Sequence, residues 1–244
     1  MNLESELMAL KKLRSDLTVG QRAELSCLLA KQFEKAGEYE AACEALDEFW
    51  PECQGAPKVD DLDERTKAEI LLRVGALAGW LGSARQTTNS QESAKNLITQ
   101  STEIFEKLGE YEKAAEARAD LALCYWREGA FDEARIVLKR VIDELSDSSS
   151  ETRATALIRS AVVEKTAARY GEALSIYREA WPIVDATNDH ALKGTFHKGL
   201  ATLLNCRGVT EKREDYIDQS LIEFAAASFH FEQAGALPTK FGFR

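Results

Sequence analysis

The sequence predicts an all-α chain assembled from stacked antiparallel helix pairs, and three observations carry that prediction. The first is residue usage: 244 residues contain only 4 prolines and 14 glycines, with 45% hydrophobic and 30% charged residues, and strong helix formers dominate. The second is spacing. Apolar side chains return every three or four positions, as in Leu121, Tyr125, Phe131, Ala134, Leu138 and Val141, while the long alternating runs of strands are missing. The third is self-similarity: a small residue opens each second helix at Ala42, Ala94, Ala134, Ala173 and Ser220, at intervals of 52, 40, 39 and 47 residues, as expected of a repeat array.

In order along the chain, helices are expected at about residues 3–15, 19–36, 38–50, 62–82, 91–108, 111–128, 131–145, 150–168, 170–187, 189–207 and 214–234. The opening "MNLESELMALKKLRSDL" lacks the basic-then-apolar layout of a secretory signal and reads as an amphipathic helix. Residues 1–18 are therefore assigned to a capping helix ahead of a repeat domain over 19–235, with 236–244 as a tail. The second segment starts with Thr18 and Gln21 at capping-box spacing, and the same spacing recurs at Asp61 with Glu64 and at Ser148 with Glu151. Gly37 and Gly129 suit the tight turns inside two pairs, because glycine takes left-handed backbone angles without penalty. The pairs at 62–108 and 190–235 each need about seven extra residues, expected in the turns around "SARQTTN" and "VTEKRED".

One packing rule runs through five pairs. Four residues after each opening small residue stands a large one: Leu46, Ile98, Leu138, Tyr177 or Phe224. The preceding helix supplies another small residue in register, namely Ala30, Gly75, Ala122, Ala161 or Ala201. Where two antiparallel helices cross closely, a full side chain would hold the axes apart, so the crossing point needs Ala, Gly or Ser and the large neighbours fill the grooves.

"LALCYWREGAFDEARIVLKRVI" and "LLAKQFEKAGEYEAACEAL" resemble tetratricopeptide (TPR) repeats. Leu121, Ala122, Tyr125, Gly129, Phe131, Ala134 and Leu138 match that family's order of Leu, small, aromatic, Gly, aromatic, Ala and bulky residue, and Leu29, Ala30, Phe33, Gly37, Tyr39, Ala42 and Leu46 match it again. The resemblance covers roughly residues 19–235 and is weaker outside these two pairs, with Ser160 and Glu164 standing where apolar residues are usual. A spacing near 40 rather than about 34 resembles the longer-helix variety of bacterial regulatory TPR proteins. The resemblance implies a TPR-like α-solenoid, a right-handed superhelix whose concave face is lined by first helices and takes peptides or partner domains.

By register with that pattern, the face is expected to carry Trp80, Leu123, Trp126, Arg127, Lys165, Lys198 and Asn205, together with Lys31, Glu34, Leu72, Ala76, Ile158 and Thr202. A groove-facing Trp offers large contact area, and Arg127 beside Trp126 can pair with a carboxylate. The carboxylate-clamp variety of the family needs Lys and Asn where this chain has Cys27 and Lys31, which disfavours recognition of a chaperone's acidic terminus.

Other chemistries find little support. A net charge of −10 does not fit a large phosphate-binding footprint, so no direct nucleic-acid binding is expected. Five scattered cysteines without a Cys-x-x-Cys pair read as reduced thiols of a cytoplasmic protein rather than a disulfide or zinc framework. The most apolar window, "ILLRVGALAGWLGSA", contains Arg73 and is too short for a bilayer span. Its Gly75, Gly79 and Gly82 do not form a dinucleotide fingerprint, since no strand precedes them; Gly75 and Gly79 share a face and admit a neighbouring helix.

His190 and His197 stand two turns apart without a His-Glu-x-x-His motif, and no spacing unites a catalytic set, so no cofactor, metal or catalysis is expected. The leading expectation is a non-catalytic scaffold for a protein or peptide. The alternatives are a sensor module of a larger bacterial regulator, whose output domain lies outside this chain, and a small-ligand or lipid carrier using Trp80 and Trp126. The apolar end "FAAASFHFEQAGALPTKFGFR" is expected either to run into a truncated further repeat, to self-associate, or to be covered by Phe241 and Phe243.

Overall fold

A computed structural model describes residues 7–8, 17–87, 89–146 and 148–235. Among these, ten helices follow Thr18: α1 (Val19–Ala36), α2 (Tyr39–Leu46), α3 (Glu64–Ala84), α4 (Ser90–Lys107), α5 (Tyr111–Glu128), α6 (Phe131–Glu144), α7 (Glu151–Thr166), α8 (Tyr170–Ala186), α9 (His190–Glu211) and α10 (Glu214–Gln233). A 3₁₀ turn, Pro51–Cys53, interrupts the series, and no strand occurs among the described residues. The expected capping helix, apart from Leu7 and Met8, and the tail with Phe241 and Phe243 lie outside the described residues.

The chain divides into two compact units, Met1–Glu128 and Gly129–Arg244. In the first, α1 packs on α2, α3 on α4, and the first helices α1, α3 and α5 are neighbours in that order. In the second, α7 packs on α8 and α9 on α10, while α7 and α9 are neighbours. Within each unit, successive helices touch and first helices also touch one another, the arrangement of stacked pairs.

The small residues sit where the packing rule puts them. Ala42, Ala94, Ala134 and Ala173 are completely shielded from solvent and Ser220 nearly so; Ala30, Gly75, Ala122, Ala161 and Ala201 are buried as well. A Cβ on Gly75 would lie 2.7 Å from Ile98 Cγ1 and 3.2 Å from the Ala94 carbonyl oxygen. The two aligned second-helix positions of this pair therefore meet the aligned first-helix glycine directly. Leu46, Ile98, Leu138 and Tyr177 are fully buried as their fillers. Phe224 is only half-buried, and on the same helix Leu221, Ile222 and Phe229 are exposed.

Three local features depart from the sequence reading. The helix expected over 38–50 ends at Leu46, because Pro51 disfavours helical geometry just ahead of it and Phe49 and Trp50 turn into the core, where the Trp50 indole donates to the Gly55 carbonyl at 3.1 Å. The caps expected at Asp61 and Ser148 stand two residues later. Asp63 accepts from the Thr66 amide at 3.0 Å and Ser150 from the Arg153 amide at 3.3 Å, which puts Thr66 and Ala154 into the core in helical phase. The capping box at Thr18 and Gln21 forms as expected, with 3.3 and 2.9 Å bonds.

The extra residues of the α3–α4 pair are shared between the helix end and the expected turn, which occupies residues 85–89, whereas those of the α9–α10 pair go into the helices rather than a long turn. α3 runs to Ala84 and α9 to Glu211, leaving only Lys212 and Arg213 before α10, with Lys212 in the left-handed region at φ 54°. Gly208 permits this tight return: a Cβ there would lie 2.8 Å from Ile217 Cγ1 and 3.0 Å from the Arg213 carbonyl oxygen.

Candidate interaction face

In the first unit, charged side chains from the three first helices converge. Lys31 and Glu34 come from α1, Glu69 and Arg73 from α3, and Lys113, Glu116 and Asp120 from α5. The three- and four-residue spacings put each helix's contributors on one face. Arg73 is the hub: its guanidinium reaches Glu116 at 2.7 Å, Glu34 at 3.3 Å and Asp120 at 3.5 Å. Lys31 reaches Glu116 at 2.8 Å, and Lys113 reaches Glu69 at 2.6 Å. The Arg73 side chain is 4% exposed, so its charge is tolerable only because carboxylates surround it.

The network sets unusual proton affinities. Burial pushes the Glu34 carboxyl up to about 7, only partly opposed by Arg73 and reinforced by Asp120 and Glu116. Burial also disfavours the Glu116 anion, yet Arg73, Lys31 and Lys113 outweigh it and hold that carboxyl at about 2. Arg73 is held above its ordinary value against the effect of burial by Glu34, Glu116 and Asp120. Two buried atoms, Glu34 Oε1 and Arg73 Nε, have no hydrogen-bond partner.

A stability consequence follows for Glu34. Folding raises its carboxyl from about 4.5 to about 7, so across that interval the folded chain holds a proton that the unfolded chain releases. Its contribution therefore falls as pH rises through this window. Glu34→Gln should remove the decline and raise unfolding free energy at pH 8 by about 1–3 kcal/mol, with little change at pH 4. Urea unfolding of both proteins at the two pH values measures it; equal stabilisation at both would contradict the assignment.

In the first unit, the expected face residues Trp80, Leu123, Trp126 and Arg127 stand on the helices that carry this network. Trp80 lies two turns after Arg73 on α3, half-buried, with its ring stacked on Tyr39 at 3.6 Å between centroids and 15° between planes. Leu123 and Arg127 continue the Glu116–Asp120 stripe along α5, and they and Trp126 are half-buried. In the second unit Lys165, on α7, is half-buried. On α9 Lys198 and, two turns further on, Asn205 are both exposed. The Lys198 ammonium is held below its ordinary value first by the surrounding protein and then by the Lys165 charge, so these two lysines sense each other.

Leu72 and Ile158, counted on the face from repeat register, are instead buried in the hydrophobic cores of their units. Each stands on the flank where its helix meets its neighbours. Sequence reasoning missed Arg73 as an organising residue. Its only signal was a lone cation in a strongly apolar window, and a buried cation demands nearby carboxylates.

Gly79 completes the local geometry. Its carbonyl accepts from Gln91 Nε2 at 2.6 Å, and a Cβ there would press on Ala94, Cys124 and Gln91 at 3.3 Å. The glycines of α3 thus serve helix contact. All five cysteines are free thiols. No described helix is long and apolar enough to cross a membrane.

No protein-family model and no curated protein matches the chain. Solved structures do. A structure of TPR-like repeats from a kinesin light chain of Podosopora anserina is similar with a TM-score of 0.55 at 16% identity, covering 86% of this chain and 98% of that one. A point variant of the same repeats gives 0.56 at 16% identity, with 86% and 97% covered. BtubC (BKLC) from P. vanneervenii gives 0.60 at 17% identity, with 93% and 92% covered. Helix order, the buried small-residue register and these likenesses agree: the chain has a TPR-like fold of antiparallel helix pairs.

Proposed function

We propose that this protein is a non-catalytic scaffold that binds a protein or peptide on the faces of its first helices. The observation that carries the reading is the joining of α1, α3 and α5 through Glu34, Arg73, Glu116 and Asp120. These bonds hold three successive first helices as one continuous side-chain surface. Trp80, Leu123, Trp126 and Arg127 stand beside it as anchors for a partner, since large aromatics and Arg supply most binding energy at such surfaces. In the second unit the corresponding residues are Lys165, Lys198 and Asn205. The likeness to TPR-like structures supports this reading, as does the lack of a sequence motif for nucleophilic or acid–base chemistry. The exposed Leu221, Ile222 and Phe229 of α10 support self-association through the last pair.

Peptide display on the whole chain tests the face. Peptides enriched on the unaltered protein should lose roughly thirtyfold or more in affinity for Trp126→Ala/Arg127→Ala, as removal of hot-spot residues does, while the far-ultraviolet circular dichroism of the variant stays unchanged. Equal affinity for both proteins would remove these residues from the site.

A further inference from the structure

All three histidines of the chain meet between α9 and α10. His190 and His197 are seven residues apart on α9, and Glu223 and His230 are seven apart on the antiparallel α10, so the helices pair them as two rungs. In one rung His190 Nδ1 and His230 Nδ1 stand 3.0 Å apart; in the other His197 Nδ1 and Glu223 Oε2 stand 2.6 Å apart. The rungs touch, because the His197 and His230 rings lie near-parallel at 5.4 Å and 9°. Phe229 packs against His230 and Phe196 against His197.

Two imidazole nitrogens at hydrogen-bond distance share one proton: one ring donates and the other must accept. When both rings are cationic, both nitrogens carry protons and the bond becomes a repulsion. The Glu223 carboxylate already engages His197, in the other rung. Among the described residues no three His, Cys, Asp or Glu side chains are arranged to hold a metal ion, so the trio is a hydrogen-bonded and stacked assembly rather than a ligand set.

We propose that the histidine trio is an acid-sensitive latch on the α9–α10 pair, closed while the His190–His230 bond holds one shared proton and opened when mild acidity protonates both rings. Of the charges around it, Lys193 works against a proton on His230, whereas Glu223 offsets a charge on His197. α9 adds Lys193, which acts on His230, and Asp189 at its start, whose carboxylate caps the helix by accepting from the Leu192 amide. From α8 come the Trp181 ring, 5.7 Å from His197, and the Asp185 carbonyl that accepts from Lys193. α7 contributes Lys165, which acts on Lys198, and Glu151, which accepts from Thr187. α10 supplies Glu223 as the counter-charge bonded to the trio.

Burial first, then His197, His190 and Lys193, hold His230 below the usual 6.5. The unfolded chain therefore takes up this proton more readily than the folded one. The stability this group contributes is complete above about pH 6.5 and declines as pH falls through the folded value.

Hydrogen exchange of the whole chain, corrected for the intrinsic pH dependence, tests the latch. Amides of α9 and α10 should exchange about tenfold faster at pH 5.5 than at pH 7.5, while those of the first unit, which contains no histidine and gains stability from Glu34 protonation over the same interval, should not exchange faster. His190→Asn/His230→Asn keeps a polar group at each Nδ1 position without titration in this range and should abolish the α9–α10 difference. Unchanged protection of the unaltered protein at pH 5.5, or the same acid loosening in the double variant, would overturn the proposal. Imidazole nuclear magnetic resonance titration of the unaltered protein supplies a readout independent of any variant. A coupled pair of titrations with one midpoint below 6.5 is expected; three independent titrations at or above 6.5 would overturn the latch.

Discussion

Arg73→Ala should destabilise the first unit by about 3–5 kcal/mol at pH 7, as breaking a buried ion pair does by stranding its partners. Three carboxyl groups surround the guanidinium, from Glu34, Glu116 and Asp120; with Arg73 gone Glu34, already pushed up to about 7, would take up a proton, and Glu116 and Asp120 would be left as charges in a poorly hydrated pocket. Glu116 loses the first of the cations that hold its carboxyl at about 2, so it would be driven toward the neutral form. The loss should therefore shrink as pH falls from 7 to 4, where protonation relieves the stranded charge. Denaturant unfolding followed by tryptophan fluorescence measures this, because Trp80 shares α3 with Arg73 and stacks on Tyr39. A loss of the same size at both pH values would mean that only packing had been removed and that the ion network contributes nothing.

Gly75→Val should cost about 3 kcal/mol, the upper part of the range for overpacking a filled core. The first added carbon alone would stand 2.7 Å from Ile98 Cγ1, and behind that side chain lie backbone atoms of α4, the Ala94 oxygen at 3.2 Å and the Ile98 nitrogen at 3.3 Å. A side chain can rotate away, but backbone cannot move without parting the two helices. Gly171→Ala is the control: nothing lies within 4 Å of a Cβ there, and better helix propensity should leave stability equal or slightly higher. Thermal unfolding of the three proteins separates the cases. Equal midpoints for the unaltered protein and Gly75→Val would show that the α3–α4 crossing does not depend on a residue without a side chain.

Much of this architecture is readable before any coordinates exist. The period of three to four along "LCYWREGAFDEARIVL" places two helices, and the structure has them at Tyr111–Glu128 and Phe131–Glu144. The recurrence of Ala42, Ala94, Ala134, Ala173 and Ser220 foretells where side chains must be small, and all five are buried. The close approach at Gly75 and Gly79 follows from the same reasoning. Boundaries were less legible. Asp61 and Asp63, or Ser148 and Ser150, offer equivalent oxygens to a helix start, and burial of Thr66 and Ala154 selects the later one in each case.

The candidate face divides along the same line. Repeat register can assign Trp80 or Arg127 to a side of a helix, but it could not show that Trp80 would be stacked on Tyr39 or that Leu72 would be buried. Arg73 and Glu34 are 39 positions apart and Arg73 and Asp120 are 47 apart; His190 and His230 are 40 apart. Sequence by itself determined the helices, their pairing and the need for small residues at the crossings, because periodicity and steric bulk are properties of neighbours along one chain. Only the tertiary structure decided which charges share Arg73 and which imidazoles share a proton. Those outcomes depend on the rotation and stagger of one helix against another, and a shift of a single turn would match different partners.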